Sequence, residues 1–356
     1  MSNKISFVIS DVTSKGGTER MTTLLSTLLS ELDDFIQVEI FSLNKELKIP
    51  FYSLPDNVIV KHGSGKKYYD LCKYIIYCKK NNIKLIVVSM GRLSFECTFL
   101  ARFLFFKNIY LYEHVGLLSF NKLIVLLKLS SFFLAKKVIV LTSNDFCLLT
   151  NRYKLKNVVH IPNINPFSLR YITITEYCSR PNIAIAIGRY TAQKNFQALI
   201  SIWKKANLSG WCLYIIGDGE ERNDLEKKIG EDPTIKLLSS TYEISHYYNL
   251  AKLYLMTSNY EGLPMVLIES QSFGIPVIAY DCPTGPAEIV RNGLTGSLIE
   301  LHNIEQFVEE LKSYTSNENK LKILSENSLN NSRLFDVEVV IKKWYSLLQL
   351  SENYEK

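Results

Sequence analysis

"LYLMTSNYEGLPMVLIES" spans residues 253–270 and reads as strand, turn and helix in succession. The run from Leu253 to Ser258 is apolar and β-prone, which predicts a buried strand. Gly262 permits a sharp turn, and Pro264 suits the first turn of the helix that follows. Glu261 then falls in the loop, and Glu269 lies about 7.5 Å up the helix axis from Pro264 at a rise of 1.5 Å per residue. A carboxylate inside an otherwise apolar helix is costly unless it is paired. Two readings stay open on these residues alone. One is a capping Glu followed by a snorkelling helix Glu. The other is a pair of acceptors flanking a long, polyhydroxylated anion, with the amides of Gly262, Leu263 and Met265 at the helix tip taking its phosphate.

Similar units recur along the chain. In the first half, β-rich runs lie near residues 5–10, 36–41, 84–89, 109–114, 137–142 and 158–162. In the second half they lie near 182–188, 212–217, 235–238, 253–258, 276–281 and 296–300. Continuous Val/Ile runs separated by helical stretches predict parallel sheets covered on both faces. Two such series predict an α/β protein of two doubly wound domains. "HIPNINPF" (160–167) interrupts the pattern with two prolines and two asparagines, as a linker does. "FDVEVVIKKWYSLLQL" (335–350) reads as a closing amphipathic helix.

At 356 residues the chain exceeds one ordinary core and suits two domains. Hydrophobic residues make up 47% and charged residues 21%, which excludes a disordered chain. Seven scattered cysteines without a C-x-x-C pair predict reduced thiols, neither a disulfide framework nor a zinc site. "MSNKISFVIS" enters a strand without a signal-peptide pattern, so a cytoplasmic location is expected. Residues 1–165 hold 22 Lys and Arg against 12 Asp and Glu, whereas residues 166–356 hold 19 against 23. A basic first half points to a surface-specific partner. Within it, "LLSFNKLIVLLKLSSFFLAKK" (117–137) carries internal lysines that argue against a membrane span. It reads either as a core-facing helix with solvated lysines or as a helix lying on an anionic membrane, and "RFLFFK" (102–107) adds a second basic, aromatic stretch.

Ligands of open parallel sheets bind beyond the carboxyl ends of the strands. After the first strand, Gly16-Gly17 opens a helix at Thr18, where a backbone can approach a phosphate closely; taken alone, a purely structural turn is the better reading. The pattern is neither G-x-G-x-x-G nor a phosphate-binding P-loop, so nicotinamide and ATPase chemistry lose support. "GRYTAQKNF" (188–196) sets Gly188, Arg189 and Lys194 beside a helix start, where two cations can hold a diphosphate or simply be solvated. Gly217 opens "GDGEER", whose acids suit a helix dipole. No D-x-D occurs, which removes the obvious Mg²⁺ or Mn²⁺ site, so no metal is expected. No triad order or close carboxylate pair points to a hydrolase. The dispersed basic residues form no recognisable nucleic-acid module.

Together these stretches resemble the GT-B glycosyltransferases of family 4. The resemblance rests on Gly16-Gly17, on Arg189 with Lys194, and above all on Glu261 and Glu269 in the family's E-x(7)-E spacing. "DCPTGPAEIVRNGLTGSLIE" (281–300) also resembles the family's stretch after that motif, and "CPTGPAEIV" within it resembles bacterial enzymes that build surface polysaccharides on lipid-linked acceptors. The resemblance implies two Rossmann-like domains facing a central cleft. Residues 1–163 would be the acceptor domain, 164–334 the nucleotide-sugar domain, and 335–356 a helix packing back on the first domain. It further implies retaining transfer from a nucleotide-sugar without an essential metal. By position, Arg189 and Lys194 would bind the donor diphosphate, Glu261 the sugar and Glu269 the ribose. Gly16-Gly17 would lie near donor phosphates and acceptor, and His114 would serve the acceptor side. "STYEIS" (240–245) copies the family's base-contacting loop poorly, which leaves the base open.

The expected function is transfer of a hexose or N-acetylhexosamine from a nucleotide-sugar, a UDP-sugar by preference, to a lipid-linked or growing glycan through an α-bond. Positive groups at the departing diphosphate would supply most of the catalysis. The rivals are a GDP-mannose-dependent transferase, a non-catalytic GT-B subunit that binds a glycan or partner, and a nucleotide-sugar epimerase.

Overall fold

The computed structural model describes residues 3–31, 36–45, 49–168 and 173–350. It divides into two units, Met1–Ile164 with Val340–Lys356, and Asn165–Val339. Of the closing helical segment expected over 335–356, residues 351–356 lie outside the described part.

In the first unit the strands are β1 (Asn3–Ile9), β2 (Ile36–Ser42), β3 (Val58–His62), β4 (Lys84–Ser89), β5 (Ile109–Glu113), β6 (Lys137–Val140) and β7 (Val158–His160). All pairs are parallel, in the order β3-β2-β1-β4-β5-β6-β7. In the second unit they are β8 (Ile183–Ile187), β9 (Cys212–Ile216), β10 (Ile235–Leu238), β11 (Leu253–Met256), β12 (Val277–Tyr280) and β13 (Gly296–Ile299). This sheet is also wholly parallel, in the order β10-β9-β8-β11-β12-β13. Both are doubly wound α/β sheets, as the alternation predicted. Strand order reverses between β1 and β4 in one unit and between β8 and β11 in the other, which is where such sheets bind ligands.

The central strands are buried on both faces, so they read as unbroken apolar runs: β5 and β11 are buried throughout. β3 escaped the sequence reading because it is an edge strand with only Val58 buried. Three helices start at a short polar cap: Asn121, Asn303 and Asn317 each accept a hydrogen bond from the amide three residues on. The final helix, Val337–Leu348, places Trp344 edge-to-face on Tyr112 of β5 with ring centroids 5.0 Å apart.

The stretch 117–137 is not one helix. A short turn at Leu117–Ser119 precedes a helix over Lys122–Leu134 and then β6. Lys128 corrects the expectation of solvated lysines: it is 1% exposed and its Nζ lies 2.5 Å from Glu113 Oε2. Glu113 ends β5 beneath this helix, and burial raises its pKa against the lowering effect of Lys128.

Candidate active site

The carboxyl ends of β8, β11 and β12 carry three loops that are laced together. The loop after β8 turns on Tyr190, which is fully buried and whose hydroxyl donates to the carbonyls of Ile215 (3.1 Å) and Leu238 (2.5 Å). Gly188 and Gly217 are pressed together: a Cβ on Gly217 would stand 1.9 Å from the Gly188 carbonyl oxygen. Only glycine fits there, a constraint invisible in the "GDGEER" pattern. Loop-to-loop bonds then join β8 to β11. Asn259 N donates to Gln193 O (2.8 Å), Gln193 Nε2 to Tyr260 O (3.0 Å), and Thr257 Oγ1 to Asn195 O (3.0 Å). The loop after β12 clasps Glu261 from the other side: Glu261 N donates to Pro283 O (2.9 Å) and Thr284 N to Glu261 O (3.1 Å). Gly285 packs so closely on Gly262 and Pro264 that a Cβ would meet Gly262 O at 1.9 Å.

Lys194 and Glu261 sit within this lacework and form an ion pair, Nζ to Oε1, at 2.7 Å. Their side chains are 18% and 8% exposed, so Lys194 retains a face toward solvent. Its stem runs over Gly188, where a Cβ would meet Lys194 Cε at 2.9 Å. Arg189 is exposed, with no side-chain hydrogen bond or ion pair to the described residues. The helix Met265–Ser272 begins immediately after Pro264, which occupies its N-cap. Leu263 and Met265 are buried at its tip.

Glu269 is 3% exposed and its Oε2 accepts from the Tyr248 hydroxyl at 2.8 Å. It is neither a snorkelling nor a solvated acid. Tyr254 of β11 lies where both acids act on it: burial, and then the charges of Glu261 and Glu269, push its hydroxyl pKa well up. That hydroxyl also bonds the backbone of Ile187, donating to O (3.2 Å) and accepting from N (3.1 Å). Cys282 lies near the ion pair, and burial, reinforced by Glu261, pushes its thiol up to about 12. Tyr248, Tyr254 and Cys282 were missed by the sequence reading. Tyr and Cys within apolar runs carry no spacing signal, and their role here is to hold acids and fill space.

The second unit therefore brings Gly188, Lys194, Gly217, Glu261, Gly262 and Pro264 together at its strand-order reversal, with Glu269 held on the same helix. Gly16, Gly17 and His114 belong to the first unit. Gly16 precedes the helix Gly17–Glu31, one residue earlier than predicted, and its carbonyl accepts from Arg20 N (3.1 Å). His114 follows β5. It is 8% exposed, its ring stacks edge-on to Tyr112 at 4.2 Å, and Nε2 has no partner among the described residues. Burial drives its pKa down to about 3, so the imidazole is neutral at physiological pH. Among the described residues no three His, Cys, Asp or Glu side chains gather as a metal site.

Residues 175–331 match the family described as "Glycosyl transferases group 1". Over 355 residues the chain is 34% identical to "Amylovoran biosynthesis glycosyltransferase AmsD" of Erwinia amylovora, covering 97% of this chain and 99% of that one. Over 152 residues, 40% of this chain and 39% of the other, it is 31% identical to the "UDP-Gal:alpha-D-GlcNAc-diphosphoundecaprenol alpha-1,3-galactosyltransferase" of Escherichia coli. Among solved structures, HepE of Anabaena in complex with UDP and glucose superimposes with a TM-score of 0.78 at 16% identity, covering 98% and 99% of the two chains.

Proposed function

The chain belongs to the group 1 glycosyltransferases, and from that premise we propose that it moves a hexose or N-acetylhexosamine from a UDP-sugar to a lipid-linked or growing glycan, with retention, in the building of a surface polysaccharide. The observation that carries this reading is the Lys194–Glu261 pair at the strand-order reversal of the second unit, beside the exposed Arg189. An incoming diphosphate competes with Glu261 for Lys194. Once the cation turns to phosphate, Glu261 accepts from sugar hydroxyls. Glu269, already oriented by Tyr248, accepts from the ribose. The tip of the helix Met265–Ser272 faces the same charge with its amides.

In the transfer step the bond between the anomeric carbon and the phosphate oxygen breaks, and its electron pair stays on the nucleotide diphosphate. Arg189, Lys194 and the helix tip stabilise that charge where it develops. The acceptor hydroxyl attacks from the face the phosphate leaves, and its proton passes to the departing phosphate oxygen. His114, uncharged, offers a hydrogen bond on the acceptor side without adding charge. No metal is needed in this scheme, since the two cations do its work.

The UDP preference draws on what the Escherichia coli relative and the Anabaena structure are named for. Calorimetry with UDP and GDP, followed by a donor screen that reads nucleotide release with a lipid-linked glycan pool, tests it. Tight UDP binding and acceptor-dependent release are expected. Preference for GDP assigns the mannosyl alternative, and donor conversion without acceptor assigns an epimerase.

A further inference from the structure

Arg180 is a buried cation of the second unit that the proposed transfer does not use. It is 4% exposed, and no Asp or Glu among the described residues pairs with it. A charge buried without a counter-ion is costly, so its hydrogen bonds must offset a large loss of hydration.

All four of those bonds go to backbone carbonyls. Nε and Nη2 donate to Thr175 O (3.1 and 2.9 Å), Nη1 donates to Ala251 O (2.9 Å), and Nη2 donates again to Phe273 O (2.8 Å). The guanidinium lies over the Tyr177 ring, 5.3 Å from its centroid. Tyr177 is anchored in turn, its hydroxyl donating to Lys252 O (2.7 Å). Burial lowers the pKa of Arg180 to about 10, so the group keeps its charge at physiological pH.

Two of the carbonyls close helices. Ala251 is the C-cap of the helix Ile244–Leu250, and Phe273 is the C-cap of the helix Met265–Ser272. A helix end leaves carbonyls without partners and carries a partial negative charge, both of which a cation satisfies. One guanidinium thus ties together the ends of the two helices that carry Tyr248 and Glu269. Between them the Tyr248 ring stacks on Phe273 at 5.2 Å, and the Tyr248 hydroxyl donates to Glu269 at 2.8 Å. Phe273 is therefore held twice, by Arg180 through its carbonyl and by Tyr248 through its ring. Lysine is no substitute, because an ammonium is a compact point charge without the planar fork.

We propose that Arg180 is a positioning residue for the donor site: it clamps the C-terminal ends of these two helices, which fixes Tyr248 against Glu269 and so aims the carboxylate at the ribose of a nucleoside diphosphate. This rests on Glu269 gripping the donor as proposed above, and it adds a residue that acts on the donor only through others.

The test is calorimetry of UDP binding to the parent, Arg180→Lys, Tyr248→Phe and the double variant, with the binding-competent fraction read from the stoichiometry. Each single variant should weaken UDP binding about tenfold, and the double variant should also lose about tenfold, since both changes release the same constraint. A merely structural role lowers the fraction of protein that binds and leaves the Kd of the rest unchanged. Independent roles multiply the losses to about 100-fold. Either result overturns the proposal. Where Arg180→Lys does not fold, Tyr177→Leu replaces it in the cycle. That change removes the ring under the guanidinium, keeps the carbonyl bonds, and should weaken UDP binding about threefold without adding to Tyr248→Phe.

Amide exchange without nucleotide, in whichever variant folds, separates the clamp from the transferase reading. Faster exchange over 244–250 and 265–272, beside a parent that binds neither UDP nor GDP, supports the clamp and defeats the donor assignment alone. Unchanged exchange there overturns the clamp whatever the protein binds.

Discussion

Lys194 Nζ lies 2.7 Å from Glu261 Oε1, so a cation and an acid from two different loops neutralise one another. The pair keeps both side chains in place without a ligand. Under the proposed function, an anion that takes Lys194 must displace Glu261 from it.

Lys194→Ala is expected to lower turnover by about 100-fold or more, the scale for removing a group that stabilises charge in the transition state. The pair is partly solvated, so loss of stability should stay near 1 kcal/mol. Steady-state kinetics beside a thermal melt separate the two. Near-parental turnover from a folded variant removes Lys194 from the mechanism.

Tyr248→Phe deletes the hydroxyl that donates to Glu269 and leaves the ring, which stacks on Phe273 at 5.2 Å. If Glu269 grips the donor's ribose, a looser carboxylate should raise the donor KM by about tenfold, or roughly 1.4 kcal/mol, with kcat little changed. A fall in kcat at constant KM would place Glu269 in the chemical step instead.

His114 titrates near 6.5 when unfolded and near 3 when buried. Between those values the unfolded chain binds more protons, so stability is complete above about pH 6.5 and drains away as the pH falls toward 3. The cost of keeping this ring neutral is about 2 kcal/mol on going from pH 7 to pH 5. Urea unfolding of the parent and of His114→Gln at both pH values should show the parent losing that much more. Parallel losses would mean that His114 is solvated.

Lys128→Met strands the Glu113 carboxylate in the core and should cost about 3–5 kcal/mol. Adding Glu113→Leu should recover much of it, because two well-packed apolar groups replace two buried charges. Chemical denaturation reads both. A single variant as stable as the parent would show that water reaches the pair.

The doubly wound sheets were legible because both faces of their central strands are buried, leaving unbroken Val/Ile runs such as Ile183–Ile187. β3 was not, since its exposed edge dilutes the pattern. The positions of Glu261 and Glu269 followed from Pro264 and the helix rise, but their partners did not. Nothing in the sequence says that Lys194 meets Glu261 rather than solvent, or that Tyr248 reaches Glu269 from another helix. Lys128 misled for the same reason: its partner Glu113 comes from a strand, and a charge in an amphipathic helix reads as solvated until tertiary structure supplies its mate. His114 was legible as a strand-end residue, whereas its burial and neutral state depend on packing around Tyr112.

Trp344 packs on Tyr112 and belongs to the first unit, although the chain reaches it only after all of Asn165–Val339. During synthesis the unit that starts first must therefore wait for a piece made after the other is finished. A nascent chain halted anywhere in between would leave Tyr112 without its indole cover. The core of the first unit is thus completed only when the last helix of the chain has been made.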